Sequence, residues 1–181
     1  YELPADKFDR SVTMMARAAE GLVELPRFQP MPRKKGSMPH YSGGGGLSST
    51  VKDYGRVLQM LLNDGSLDGK TLLEAETVDA MFQNNIGNIQ PLALATVMPT
   101  LSNTADMSFG NKVTFGLGLL LHTHGIDGGR KANAGSWAGL FNSYYWVDRE
   151  AGTYGIFGTQ VLPFFDGVAV ETLLEFEQAV Y

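Results

Sequence analysis

The chain has 181 residues, 44% hydrophobic and 18% charged, with a formal net charge of -5. That balance excludes intrinsic disorder, allows one domain with a sizeable core, and argues against a broad nucleic-acid surface. With no cysteine, a disulfide scaffold, a thiolate nucleophile and a cysteine-ligated metal are excluded, and no apolar run reaches the ~18 residues of a membrane span.

From Pro4 to Ala19 the pattern predicts a short helix at the start. Pro26, Pro30, Pro32 and Pro39 then make 26–41 an irregular loop. Within it, Arg33-Lys34-Lys35 is the only short basic cluster and reads as a solvated turn. Gly43 to Gly46 form a hinge, read as close backbone packing before a helix, since the Gly-Lys-Ser/Thr ending of a phosphate-binding loop is absent. Thr50 with Asp53 predicts a helix start. Val51, Tyr54, Val57, Leu58, Leu61 and Leu62 follow at helical spacing, and Asn63-Asp64-Gly65 stops the helix. A second helix is predicted from Glu74 to Gln83. Residues 84–112 are rich in Asn, Gly, Pro, Ser and Thr and read either as a functional lid or as a packed surface excursion.

Beyond 112 the character changes. Phe115 to His122 reads as one strand, with Gly116 and Gly118 allowing close packing. Ser143 to Asp148 and Thr153 to Val161 read as a hairpin turning at Arg149-Glu150-Ala151-Gly152. Asp166 to Val180 reads as an amphipathic helix with Val170, Leu173, Leu174 and Val180 on one side.

Three patterns invite a chemical reading. Ser49-Thr50-Val51-Lys52 is the only Ser-x-x-Lys, a spacing that lets an amine activate a hydroxyl one helical turn away; the simpler reading is Ser49 or Thr50 as helix cap and Lys52 as an exposed first-turn residue. Gly135-Ser136-Trp137-Ala138-Gly139 has the wrong spacing for a nucleophile elbow and leads to a strand where the elbow needs a helix. His122 and His124 share one face of a strand, but no third ligand is near, and they read as loop or surface residues; no metal is expected. Trp137, a large aromatic among small residues before an apolar hairpin, reads by default as core.

Four stretches together resemble the serine esterases related to class C β-lactamases, the family VIII carboxylesterases. They are Ser42-Gly43-Gly44-Gly45-Gly46-Leu47-Ser48-Ser49-Thr50 running into Asp53-Tyr54 and Leu58-Gln59-Met60-Leu61; Gly69-Lys70-Thr71-Leu72-Leu73 through Thr77 and Met81; Phe115-Gly116-Leu117-Gly118; and Gly135 to Leu140, continuing through Tyr145-Trp146-Val147-Asp148 to Thr159-Gln160-Val161-Leu162-Pro163-Phe164. Each is modest alone; their order and spacing cover most of the chain.

The resemblance implies an α+β fold, an antiparallel sheet flanked by helices, as in the C-terminal part of a β-lactamase or penicillin-binding (transpeptidase-like) protein. It implies that 1–181 is the C-terminal portion of one domain: 1–83 part of a helical lobe with the glycine-rich hinge, 84–112 a variable loop, 113–181 the sheet and closing helix. It makes Ser49 a helix cap and places the nucleophilic Ser, its Lys and a catalytic Tyr upstream of these residues. Where β-lactamases carry Lys-Thr-Gly, the esterase branch carries Trp-x-Gly, here Trp137-Ala138-Gly139. By the same correspondence the backbone N–H of Leu140 is one of two oxyanion-hole donors, Gly139 lets substrate approach the strand, and Trp137 with Ala138 lines the substrate. Trp137 in place of Lys removes a cation suited to a β-lactam carboxylate and leaves a wall suited to a neutral ester.

The expected function is therefore part of a serine esterase or acyltransferase acting on a small ester or acyl substrate, without cofactor or metal. The expected partner is the N-terminal half of the same domain, which would cover an otherwise open sheet edge. A D-amino peptide hydrolase or β-lactamase of the same fold, and a non-catalytic binding module, stay open as alternatives. The sequence begins at Tyr1 and shows no signal peptide; the cytoplasm is slightly favoured, with the periplasm or secretion following if a signal precedes these residues.

Overall fold

Thr50 illustrates how local chemistry starts a helix. Its hydroxyl accepts the N–H of Asp53 (3.0 Å) and donates to the Asp53 carboxylate (2.8 Å), so the chain turns into α1 (Val51–Leu62). Thr50, and not Ser49, is the cap: the Ser49 hydroxyl instead reaches the Thr50 carbonyl at 3.4 Å. Helix α1 ends as expected at Asn63-Asp64-Gly65, where Gly65 at φ +91° returns its N–H to the Met60 carbonyl (2.9 Å). The computed structural model describes residues 2–26, 36–37 and 39–181. Arg33-Lys34-Lys35, Pro30 and Pro32 lie outside the described residues.

The helix expected after Pro4 is a single 3-10 stretch, Ala5–Arg10. Then the chain extends into β1 (Met15–Ala18) and β2 (Gly21–Glu24), an antiparallel hairpin that the sequence did not suggest. The reason is non-local. Strand β1 also pairs in parallel with β10 (Val161–Leu162), Met15 opposite Val161, so partners nearly 150 positions away override the helix preference of an alanine-rich stretch. The glycine hinge also departs from expectation, because a Cβ at Gly43 or Gly45 would meet nothing within 4 Å.

After α1 come a small hairpin, β3 (Ser66–Leu67) and β4 (Lys70–Thr71), and helix α2 (Ala75–Met81). Asp68 and Gly69, both at positive φ, make the two-residue hairpin turn. A five-stranded antiparallel sheet follows in the order β5 (Val113–Phe115), β6 (Leu120–His122), β7 (Ala134–Gly139), β8 (Ser143–Asp148), β9 (Thr153–Phe157), and α3 (Gly167–Val180) closes the chain. The expected single strand 115–122 is thus two strands. At Gly116 a Cβ would sit 1.9 Å from the Met81 carbonyl oxygen, and Gly118 at φ +80° turns the chain, closed by Gly116 N–H to the Leu119 carbonyl (2.8 Å). The expected strand 153–161 is also divided: β9 stops at Phe157, and 161–162 joins β1 in a separate sheet.

Period-two alternation along β8 and β9 gives each face a helix. Tyr145, Val147, Tyr154 and Ile156 face Leu58 and Leu61 of α1 and Val78 of α2. Tyr144, Trp146 and Phe157 face Leu173 of α3. Trp146 is fully buried, and Gly155 beside it is required by packing, since a Cβ there would lie 2.0 Å from the indole. Two helix faces differ from expectation. On α1, Val51 and Val57 point outward although Leu58 and Leu61 are buried. On α3 the inward line is Ala169, Leu173 and Glu177, while Val180 is exposed, because the buried Glu177 meets the equally buried Arg130.

Candidate active site

Strand β7 runs through the middle of the sheet and changes character along its length. Ala134, Gly135 and Ser136 are buried; Trp137 is 41% exposed and Gly139 is exposed. The first half packs because Gly135 leaves room for Leu119 and Phe82, whose side chains a Cβ would meet at 2.8 and 3.0 Å. Ser136 is 2% exposed with its hydroxyl 3.4 Å from the Leu120 carbonyl, a structural serine. Trp137 stands opposite Tyr145 in register and meets the edge of Phe115 at 5.2 Å and 89°. It is therefore a fixed surface wall and not a core residue.

The turn after β7 is held firmly. Leu140-Phe141-Asn142 is a three-residue loop closed by Asn142 N–H to the Gly139 carbonyl (3.0 Å), with Asn142 at φ +59°. The Asn142 amide donates to the carbonyls of Val161 (2.8 Å) and Pro163 (2.7 Å), and its oxygen accepts the Tyr144 hydroxyl (2.8 Å) and the Asp166 N–H (3.1 Å). The Thr159 hydroxyl lies 2.7 Å from the Phe141 carbonyl. Asp166 caps α3 by accepting the Ala169 N–H (3.0 Å), and Arg17 of β1 binds both its carboxylate oxygens (2.8 and 2.9 Å), which holds that carboxyl below its usual range.

The four predicted site residues come together on one cleft of about 210 Å3, formed by Trp137, Ala138, Gly139 and Leu140 with Leu94, Met107 and Phe164. The last three were not singled out from sequence as site residues, although Leu94 belongs to the apolar run at 92–98 and Phe164 to the last of the four resembling stretches. Among the described residues, no charged side chain belongs to this lining. A larger cleft of about 390 Å3, with Lys7, Arg10, Ser49 and Asp53 in its wall, has mixed polarity. Ser49 and Lys52 are both exposed at the start of α1. Burial, together with neighbouring Tyr54, pushes the Tyr145 phenol up, so it stays protonated beside Trp137.

His122 is not a surface residue. It is fully buried, stacked 6.1 Å from Phe109 at 8°, and neither ring nitrogen has a hydrogen-bond partner. Its partner in the sequence pattern, His124, is exposed, and among the described residues no group of three or more metal-ligating side chains forms. Desolvation, helped by the charge of Arg130, lowers the His122 pKa to about 3. The ring is then neutral when folded, whereas in the unfolded chain it takes a proton below about pH 6.5. Stability is therefore retained above pH 6.5 and lost as pH falls from 6.5 towards 3, by about 2 kcal/mol at pH 5. Replacing His122 by Phe is expected to flatten this limb, measured as the urea midpoint at pH 7 against pH 5. Loss of the Asp166 contribution begins only lower, as pH falls below the ordinary carboxylate range.

Comparison with known proteins places these features. The sequence pattern of the Beta-lactamase family matches residues 1–178. Acyltransferase calJ of Penicillium decumbens is 30% identical over 155 residues, covering 82% of this chain and 36% of that protein. Lovastatin esterase of Penicillium rubens is 31% identical over 147 residues, covering 77% of this chain and 35% of that protein. Among solved structures, unliganded simvastatin synthase from Aspergillus terreus superposes with a TM-score of 0.72 at 22% identity, covering 98% of this chain and 43% of that one. The fold is thus that of the β-lactamase and transpeptidase group, and the chain spans about a third of the length of the curated relatives it matches.

Proposed function

The chain belongs to the beta-lactamase family, and from that premise we propose that it supplies one side of the active site of a serine esterase or acyltransferase. The observation that carries this reading is the opening of β7. A strand buried through Ser136 becomes accessible at Trp137 to Leu140, where it faces an apolar cleft. The two fungal relatives named for acyl transfer and ester cleavage support it.

On this reading a serine supplied from outside residues 1–181 attacks the carbonyl of an ester. Its hydroxyl proton passes to a neighbouring base, negative charge gathers on the carbonyl oxygen, and the Leu140 N–H is one of two donors that receive it. A preorganised donor of this kind is worth about 3 kcal/mol at the transition state. Collapse breaks the bond to the alcohol, which leaves with a proton, and gives an acyl-serine. Water, or a second alcohol, then takes the acyl group and restores the serine. Trp137 shields the reacting carbonyl from water, Ala138 keeps the cleft floor low, and Gly139 lets the substrate lie against the strand. No cofactor or metal enters this scheme. The substrate is a small neutral ester or acyl donor, since among the described residues none lining the cleft offers a counter-charge to a β-lactam carboxylate.

The protein partner is an N-terminal half of the same domain, with 1–83, 84–112 and 113–181 as parts of one unit. Among the described residues, β9 has a strand neighbour only on its β8 side and β5 only on its β6 side, and such an edge is where that half would pair. Among the described residues no helix is long and apolar enough to cross a membrane.

The test is fluorophosphonate labelling of the protein expressed from its complete gene, read by intact mass and peptide mapping. One adduct on a serine outside residues 1–181 is the expected result. A stoichiometric adduct on Ser49 or Ser136, or none at all, would overturn the assignment and favour a binding module.

A further inference from the structure

Two residues of the cleft lining, Leu94 and Met107, come from the 84–112 segment, whose backbone is held in place. Leu94 and Ala105 form an antiparallel bridge with both hydrogen bonds made (2.8 and 3.0 Å), which folds the segment back on itself. The segment is then stitched to the chain after β10. Ser102 bridges Phe164, the Asn103 N–H donates to the Phe164 carbonyl (2.9 Å), and the Phe164 N–H donates to the Leu101 carbonyl (2.8 Å). Met107 and Phe164 pack against Tyr144, Trp146 and Leu173 beside Ala138. So the backbone of the segment is tied to the chain after β10, Met107 packs beside Ala138, and Leu94, 62% exposed, lines the cleft from its outer side.

We propose that Leu94 and Met107 form the far wall of an acyl-chain subsite and set the length of acyl group the enzyme accepts. The inference rests on the esterase or acyltransferase reading above and deepens it. The cleft begins at Gly139 and Leu140, where the carbonyl would be held, and its remaining lining is apolar. Such a surface favours a hydrocarbon chain over a charged or hydroxylated one. Met107, unbranched and adaptable, admits a branched chain as well as a straight one.

Two readouts on the complete protein test this. The first is kcat/KM on p-nitrophenyl esters from acetate to decanoate. It is expected to rise about fourfold per added methylene, the equivalent of about 0.8 kcal/mol, until the chain outgrows the cleft, and then level. Met107→Trp fills the cleft and is expected to lower the ratio of hexanoate to acetate kcat/KM at least tenfold; Leu94→Trp should do the same. The second readout is the 13C-labelled methyl resonance of Met107, identified by its loss in Met107→Leu, during titration with methyl hexanoate. Turnover with an unchanged length profile in both Trp variants would sink the subsite and leave the esterase reading intact. A saturable Met107 shift without ester turnover on any substrate would support the subsite and sink the esterase reading. Neither shift nor turnover would overturn both.

Discussion

Gly139→Ala is expected to lower kcat/KM on ester substrates by about 10²-fold while leaving the melting temperature of the complete protein within about 2 °C. The two halves of this expectation have separate origins. A Cβ at Gly139 would approach only the Ser143 carbonyl oxygen, at 3.8 Å, and the residue is not among those at positive φ, so the fold has room for the methyl. The same methyl would project from the accessible stretch of β7. There it would push a bound ester away from the Leu140 N–H, and a misplacement of about 1 Å costs on the order of 10² in rate. Thermal melting and ester kinetics on the same preparation separate the outcomes. Undiminished turnover would remove Gly139 from the site, and a lowered melting temperature would give it a structural role. Gly155 is the contrasting case, since there the indole of Trp146 occupies the place of the absent side chain.

Glu177→Ala is expected to destabilise the protein by 3–5 kcal/mol, the range for breaking a buried ion pair from one side. Glu177 and Arg130 are 1% and 2% exposed in their side chains. One Glu177 oxygen accepts the Arg130 backbone N–H and its Nε, both at 2.8 Å, and the other accepts Nη2 at 2.5 Å. The guanidinium also lies 5.4 Å from the Trp146 ring centroid. Removing the carboxylate strands a desolvated cation against that ring. The double substitution Arg130→Met with Glu177→Leu is expected to recover most of the loss, because neither partner is then left charged and alone. Urea unfolding followed by tryptophan fluorescence measures both. If the single variant loses under 1 kcal/mol, the pair contributes little and α3 is held by its apolar contacts alone.

Much of this arrangement was legible in the sequence where the signal is local. The Thr50 and Asp53 pair, the Asn63-Asp64-Gly65 stop and the alternation through Tyr144 to Val147 each state their structure within a few residues. The candidate site strand was singled out through resemblance and not through pattern. On pattern alone Trp137 is a core residue, and only the order of four stretches brings it to a surface. What the sequence concealed depends on distant partners. Strand β1 exists because β10 lies beside it. His122 is buried because Phe109 and the sheet enclose it, although its sequence neighbours end a strand. Glu177 faces inward because Arg130 arrives from the loop before β7. Met107 and Leu94 join the cleft because Ser102 and Asn103 hold their segment to Phe164. None of these pairings leaves a mark at helical or strand spacing.

The side chain of Asn142 leaves its position almost no alphabet. An amide has two N–H donors and one oxygen with two lone pairs, and here all four are engaged, with Val161, Pro163, Tyr144 and Asp166. Aspartate has the right shape but lacks both donors, glutamine has the right groups one methylene too far out, and the positive φ discourages branched residues. The tip that carries Leu140 therefore takes its shape from residues 161–166, about twenty positions downstream. On the proposed esterase or acyltransferase reading, a drift in that later segment would be read out at the carbonyl of the substrate, so selection on turnover would be felt at residues that never touch it.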